Sequence, residues 1–129
     1  MKFSLESHSD INEITSYDDN HVVIRPRNNP ELLHCEENLI LTPSKIIQNK
    51  TISDIIENDE LKYLKTLEPE VLILTKVSSE HLPPQILVKF AQQSIGVESM
   101  LLGAACRTYN LLAAEGRQVV FVVSFNKFS

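Results

Sequence analysis

The chain has 129 residues, of which 43% are hydrophobic and only three are glycine, and its formal net charge is −5. This length and composition predict one globular domain spanning residues 1–129 rather than a disordered segment. An acidic chain with no cluster of Lys and Arg lacks the basic surface that neutralises phosphates, so we expect no binding to nucleic acid.

No segment of the sequence predicts secretion or insertion into a membrane. The first ten residues lack the apolar stretch of a signal peptide, and the longest strongly apolar run, residues 119–123, is too short to span a bilayer. We therefore expect a cytoplasmic protein in which Cys35 and Cys106 are free thiols.

The N-terminal part has the pattern of short strands separated by turn residues. Residues 11–17, 21–25 and 39–41 are rich in apolar or β-branched side chains, with turn-forming segments at residues 18–20 and 28–30. These segments predict an antiparallel β meander.

Helical signals follow Pro43. Thr51 and Ser53 are candidate N-caps of a short helical turn, and a second helix is predicted from Asp59, with leucines at three-residue intervals, until Pro69 stops it.

The C-terminal half alternates between predicted strands and helices. Residues 71–74 form an apolar run typical of a strand covered on both faces, and Pro83-Pro84 opens a helix. Residues 97–102 predict a strand, residues 104–115 a helix and residues 117–125 a last strand. The alternation predicts a layered α/β domain with a largely parallel core.

All three glycines lie at predicted element junctions, which indicates a structural role. Gly96 is expected to form a left-handed cap after the first C-terminal helix, Gly103 a tight strand-to-helix turn, and Gly116 the cap of the following helix. Isolated glycines do not form a phosphate-binding loop, and the four histidines have no ligand spacing. We therefore expect no cofactor, no metal and no catalytic residue of a recognised motif.

The segment from Cys106 to Asn110 carries the main candidate site. Near a helix N-terminus, Cys106 could act as a thiolate and Arg107 could complete an anion site. The alternative is that Cys106 and Tyr109 lie on a buried stripe, since they follow three- and four-residue spacing with Leu102, Ala105, Leu112 and Ala113.

Binding is the preferred hypothesis for this segment. Its candidate binding residues are Arg107, Thr108, Tyr109 and Asn110, because Tyr and Arg are enriched at interfaces. Cys106 is assigned to packing. For Arg107 an internal clamp, paired with a buried carboxylate such as Glu98 or bonded to backbone carbonyls, stays open as the alternative to a surface role.

Several segments resemble one small family of unknown biochemical function. The residues that carry the resemblance are Gly96-Val97-Glu98, Met100, Gly103 through Asn110, Leu112-Ala113 and Glu115-Gly116-Arg117, with looser matches at residues 14–17, 39–43 and 69–74. The family includes a mitochondrial respiratory complex I assembly factor and an adipogenesis-associated protein.

The resemblance implies a single three-layer α/β domain with a mixed central sheet. It implies no established enzyme activity. It implies a protein partner, with subunits of a membrane complex among the candidates, and it leaves open whether the chain forms a homo-oligomer. The preferred hypothesis is therefore a non-enzymatic protein-binding or assembly-factor-like domain. The alternative is an enzyme or small-anion binder with its site at the Gly103 turn.

The sequence departs from the family at two places. Thr75-Lys76-Val77 replaces the usual Gly-Thr-Gly, and Leu101-Leu102 replaces Asp-Thr or Asp-Ser before Gly103. If a family pocket used that glycine turn and that acid, this chain has lost both groups. The two leucines add apolar surface that must be buried or used in binding.

Overall fold

The computed structural model describes residues 10–49, 61–76 and 84–125. The predicted helical turn at Thr51 and Ser53 lies outside these residues. The elements of the described part, in chain order, are β1 (Glu13–Tyr17), β2 (Val22–Arg25), β3 (Leu33–Cys35), β4 (Leu39–Leu41), β5 (Ile46–Gln48), α1 (Leu61–Thr66), β6 (Val71–Thr75), α2 (Pro84–Gln92), β7 (Gly96–Met100), α3 (Leu102–Ala114) and β8 (Val119–Val123).

The strands form two sheets. β1, β2 and β3 make an antiparallel meander, and the central sheet has the order β5-β4-β8-β6-β7. β4 is antiparallel to β5 and β8, whereas β6 is parallel to β7 and β8. The mixed central sheet and the N-terminal meander are thus confirmed.

One predicted strand belongs to the other sheet. Residues 39–41 were expected in the meander, but β4 pairs with β8 in the central sheet, Leu39 opposite Val123. The third meander strand is instead β3, a three-residue segment opposite β2. All three residues of β4 are buried, as a strand covered on both faces requires.

Strand β8 lies at the centre of three layers. Its five side chains are all buried and alternate between the two faces of the sheet. On one face Val119, Phe121 and Val123 pack with α3 and the meander. On the other face Val120 and Val122 pack with buried residues from α1 and α2.

Two helix ends show how the chain turns back toward the sheet. After α3, Gly116 adopts a φ of +82°, its N–H donates to Ala113 O, and the Arg117 N–H donates to Leu112 O, which makes a Schellman cap. After α2 the left-handed residue is Ser94, with a φ of 61°. The cap predicted at Gly96 is therefore misplaced by two residues, and Gly96 begins β7.

Helix α3 also begins earlier than expected. Leu101, with φ −64° and ψ 155°, is its N-cap, so the turn lies at Leu101 and Gly103 is already helical. Within residues 10–49, 61–76 and 84–125, no helix has the length and apolar character needed to cross a membrane.

Candidate functional site

The inner face of α3 is committed to the core. Ala105, Cys106, Tyr109 and Ala113 are buried there. The Tyr109 hydroxyl donates to Asn12 O at 2.8 Å, and its ring packs at a tilt against Phe121. The structure thus places Tyr109, a predicted binding residue, where no partner can touch it.

Burial also determines the protonation of both groups on this face. It raises the pKa of the Cys106 thiol to about 12, against a smaller opposing effect of the Arg107 charge. It raises the pKa of the Tyr109 phenol as well, with a smaller contribution from Glu13. A buried, protonated thiol is a poor nucleophile, so this geometry supports packing rather than catalysis at Cys106.

Asn12 connects three parts of the chain beneath α3. Its side chain is buried, its Nδ2 donates to Thr42 O at 2.9 Å, and its Oδ1 accepts from the Arg27 N–H at 2.8 Å. Sequence reasoning missed this residue because its partners are distant along the chain and no local pattern marks it.

Asn110 holds the meander against α3. Its Nδ2 donates to Ile14 O at 2.8 Å, and its Oδ1 accepts from the Ile14 N–H at 3.0 Å. Both backbone groups lie beside the irregularity between Ile14 and Ser16, where β1 shifts register against β2. The side-chain amide of Asn110 therefore satisfies the backbone hydrogen-bonding groups of Ile14 in strand β1, and it is not directed at a ligand.

Arg107 is exposed and contacts the end of β1. Its Nη1 donates to the Tyr17 hydroxyl at 2.6 Å. Gly103 lies beneath this pair: a Cβ added there would come within 3.1 Å of Tyr17 Cε1 and 3.3 Å of Arg107 Nη1. The described residues show no ion pair between Arg107 and Glu98, so the form of the internal clamp that pairs these two residues is not found within them.

An exposed strip runs along the outer side of α3. Leu101 is 68% exposed and Leu111 60% exposed, and the partly exposed Ala104 and Thr108 lie between them at helical spacing. Arg107 lies along one side of this row of residues. We call these five residues the α3 strip. Leu102, in contrast, is partly buried and packs against the core, so Leu101 is the more exposed of the two leucines that depart from the family.

At the other departure from the family, Thr75 and Lys76 form hydrogen bonds with neighbouring parts of the central sheet. The Thr75 hydroxyl donates to Val122 O at 3.3 Å and accepts from the Ser124 N–H at 3.2 Å. The Lys76 N–H donates to Met100 O at 2.6 Å. Among the described residues, no three His, Cys, Asp or Glu side chains are grouped so that they could hold a metal ion.

Of the sequence-predicted binding residues, Arg107 and Thr108 reach the surface of α3, Tyr109 is buried, and Asn110 is bonded to β1. The site that emerges is thus a surface and not a cluster of reactive groups. Its most exposed apolar members are Leu101 and Leu111. Sequence reasoning named Leu101 only as apolar surface to be buried or used in binding, and it did not name Leu111.

The chain is similar to bacterial proteins of known sequence and structure. It is 30% identical over 89 residues to the 13 kDa major membrane protein of Francisella tularensis, a match that covers 66% of this chain and 72% of that protein. A solution structure from Xanthomonas campestris has a TM-score of 0.70 at 24% identity, covering 92% of this chain and 87% of the other.

Two further matches are a second protein whose name refers to a membrane and a family model. The crystal structure of an outer membrane protein from Bartonella henselae has a TM-score of 0.66 at 25% identity, covering 91% of this chain and 97% of the other. The model of the family described as protein of unknown function (DUF498/DUF598) matches residues 14–123. The chain therefore belongs to the DUF498/DUF598 family.

Proposed function

We propose that this chain is a non-enzymatic, assembly-factor-like domain that binds a protein partner through the α3 strip. The observation that carries the proposal is the exposure of Leu101 and Leu111 on one side of α3, beside Arg107. Leucines exposed on the same helix face are a surface for another protein to cover.

The position of Leu101 strengthens this proposal. An N-cap is normally Ser, Thr, Asp or Asn, whose oxygen accepts from the free amides of the first turn. Leu101 makes no such hydrogen bond. Because a leucine there leaves the helix uncapped and exposes apolar surface, it reduces stability without benefit to the isolated fold. Docking of a partner accounts for its presence.

The names of two relatives support a membrane-associated partner. The Francisella relative is called a major membrane protein, and the Bartonella structure an outer membrane protein. We propose that the present chain acts as a cytoplasmic protein that contacts subunits of a membrane complex peripherally. The resemblance to a respiratory complex assembly factor points in the same direction.

The enzyme or small-anion alternative has weaker support. It requires Cys106, Arg107, Tyr109 and Asn110 to converge on one ligand. Cys106 and Tyr109 are buried, and Asn110 is bonded to Ile14. Arg107 would have to act with little more than the helix N-terminus, which is a sparse site for catalysis.

Co-purification from the native cell tests the proposal. Leu111→Glu should abolish recovery of the partner, because a carboxylate replaces an apolar contact. Leu101→Asp should weaken recovery while capping α3, which raises stability by about 1 kcal/mol. The matched control is Val88→Glu on α2, a residue 53% exposed on another surface. Equal recovery with all three variants, each folded by thermal melt, would contradict a partner site on α3.

A further inference from the structure

The α3 strip carries a positive charge between its two exposed leucines. Arg107 lies one helical turn before Leu111, and it lies six residues after Leu101. Within the described part of the chain, Arg107 has no carboxylate within ion-pair distance. On a chain of net charge −5, the strip is therefore apolar surface with a local cation.

The hydrogen bond from Arg107 to Tyr17 positions this cation without neutralising it. A phenol oxygen accepts a hydrogen bond but supplies no full negative charge, and a guanidinium has five N–H donors, so most stay available. Arg107 is thus held along one side of the strip, and within residues 10–49, 61–76 and 84–125 its remaining donors have no partner, so they can bind a planar carboxylate.

The positive charge of Arg107 disfavours two other binding partners for the α3 strip, a second copy of this chain and an anionic membrane surface. In a two-fold dimer the same patch meets itself, and because Arg107 lies near the midpoint of the strip along the helix axis, the two guanidinium groups would approach each other. An anionic membrane surface recruits clusters of basic residues, whereas the α3 strip has one cation on an acidic chain.

We propose that the α3 strip binds a partner segment in which an Asp or Glu lies between two apolar side chains. The apolar side chains cover Leu101 and Leu111, which are about 15 Å apart along a helix of this rise. The carboxylate pairs with Arg107. This inference rests on the proposed function and specifies the chemistry of the partner.

The experiment begins with a photo-crosslinking residue, p-benzoylphenylalanine, in place of Leu111 in the full chain, produced in its native cell. Mass spectrometry identifies the crosslinked segment of the partner. This segment is synthesised as a peptide of native sequence and as a set of variant peptides, in each of which one acidic residue is replaced by Lys. Binding of these peptides is then measured by fluorescence anisotropy to the unmodified chain, Arg107→Glu and Arg107→Gln.

Reciprocal charge reversal gives the decisive result. The native peptide should bind Arg107→Glu about tenfold or more weakly than the unmodified chain, and one Lys peptide should bind Arg107→Glu more tightly than the unmodified chain. Arg107→Gln should lie between the two. Arg27→Glu, an exposed residue outside the strip, makes the same change in net charge and should leave binding unchanged.

Other results separate this inference from the proposed function. If the native peptide binds Arg107→Gln and Arg107→Glu as tightly as the unmodified chain, but Leu111→Glu prevents binding, the acidic partner is wrong and the docking surface stands. Crosslinks only to a second copy or to lipid, or no crosslinks, would overturn both. Thermal melts of every variant show whether a loss of binding reflects unfolding.

Discussion

The side-chain amide of Asn110 forms two hydrogen bonds with the backbone of Ile14, 96 residues earlier in the chain. One bond uses the Ile14 carbonyl and the other its N–H, so the amide takes the place of a neighbouring strand at this point of β1. This pair fastens the N-terminal meander to α3.

Replacing Asn110 by Ala should therefore destabilise the domain by about 2 kcal/mol, because two partly buried backbone groups lose their partners. Urea denaturation measures the change. Thr108→Ala, on the same helix, is the control and should change the free energy of unfolding by less than about 0.5 kcal/mol. Equal stability of the two variants would show that water replaces the amide of Asn110 at no cost.

The two glycines of the α3 region should respond differently to alanine. Gly116 adopts a φ of +82°, which a Cβ disfavours, so Gly116→Ala should cost about 1 kcal/mol. Gly103 is helical, and its new Cβ would meet the movable ends of Tyr17 and Arg107. Gly103→Ala should cost less than Gly116→Ala in the same denaturation assay. The reverse order would mean that Tyr17 cannot move aside.

Ser94 offers a stabilising substitution. It occupies the left-handed position of the α2 cap with a φ of 61°, where glycine has no Cβ penalty. Ser94→Gly should raise the free energy of unfolding by roughly 1 kcal/mol. Gln93→Gly, one residue earlier and outside the left-handed region, is the control and should not stabilise. A rise in the melting temperature for the control alone would refute the argument.

Stability should fall in alkaline solution. Burial raises the pKa of Cys106 from 9.0 to about 12, so above pH 9 the unfolded chain releases this proton while the folded chain retains it. Unfolding then releases a proton, and the free energy of unfolding decreases by up to about 1.4 kcal/mol per pH unit. Below pH 9 this contribution is fully present. Tyr109 adds a similar effect at higher pH.

Denaturation curves at several pH values check this prediction. Cys106→Ala should be less stable at neutral pH because it leaves a cavity, yet its stability should decline less steeply above pH 9. Parallel pH profiles for the two proteins would show that Cys106 ionises equally in the folded and unfolded states.

The sequence predicted those elements whose signal is local. Residues 71–74 and 119–123 are apolar runs, and both are buried strands of the central sheet. The sheet to which β4 belongs could not be predicted, because Leu39 pairs with Val123 far along the chain. The three-residue strands β3 and β5 are too short for a periodic pattern to distinguish them from loops.

Local spacing indicated which residues of α3 are buried, but it could not predict the contacts that α3 makes with distant parts of the chain. The spacing of Cys106 and Tyr109 indicated the buried stripe that the structure shows. The roles of Asn110 and Arg107 depend on Ile14 and Tyr17, which no local pattern connects to α3. Gly96 was misinterpreted as a cap because glycine is the usual left-handed residue, whereas Ser94 adopts that conformation here.

The position of β8 has a consequence for synthesis on the ribosome. It joins the antiparallel pair β5-β4 to the parallel pair β6-β7, yet it is translated after the seven other described strands. Until residues 119–123 leave the ribosome, the apolar edges of β4 and β6 have no strand between them. Between the synthesis of β4 and that of β8, the nascent chain therefore exposes open strand edges that are prone to aggregation, and the central sheet closes in one long-range step.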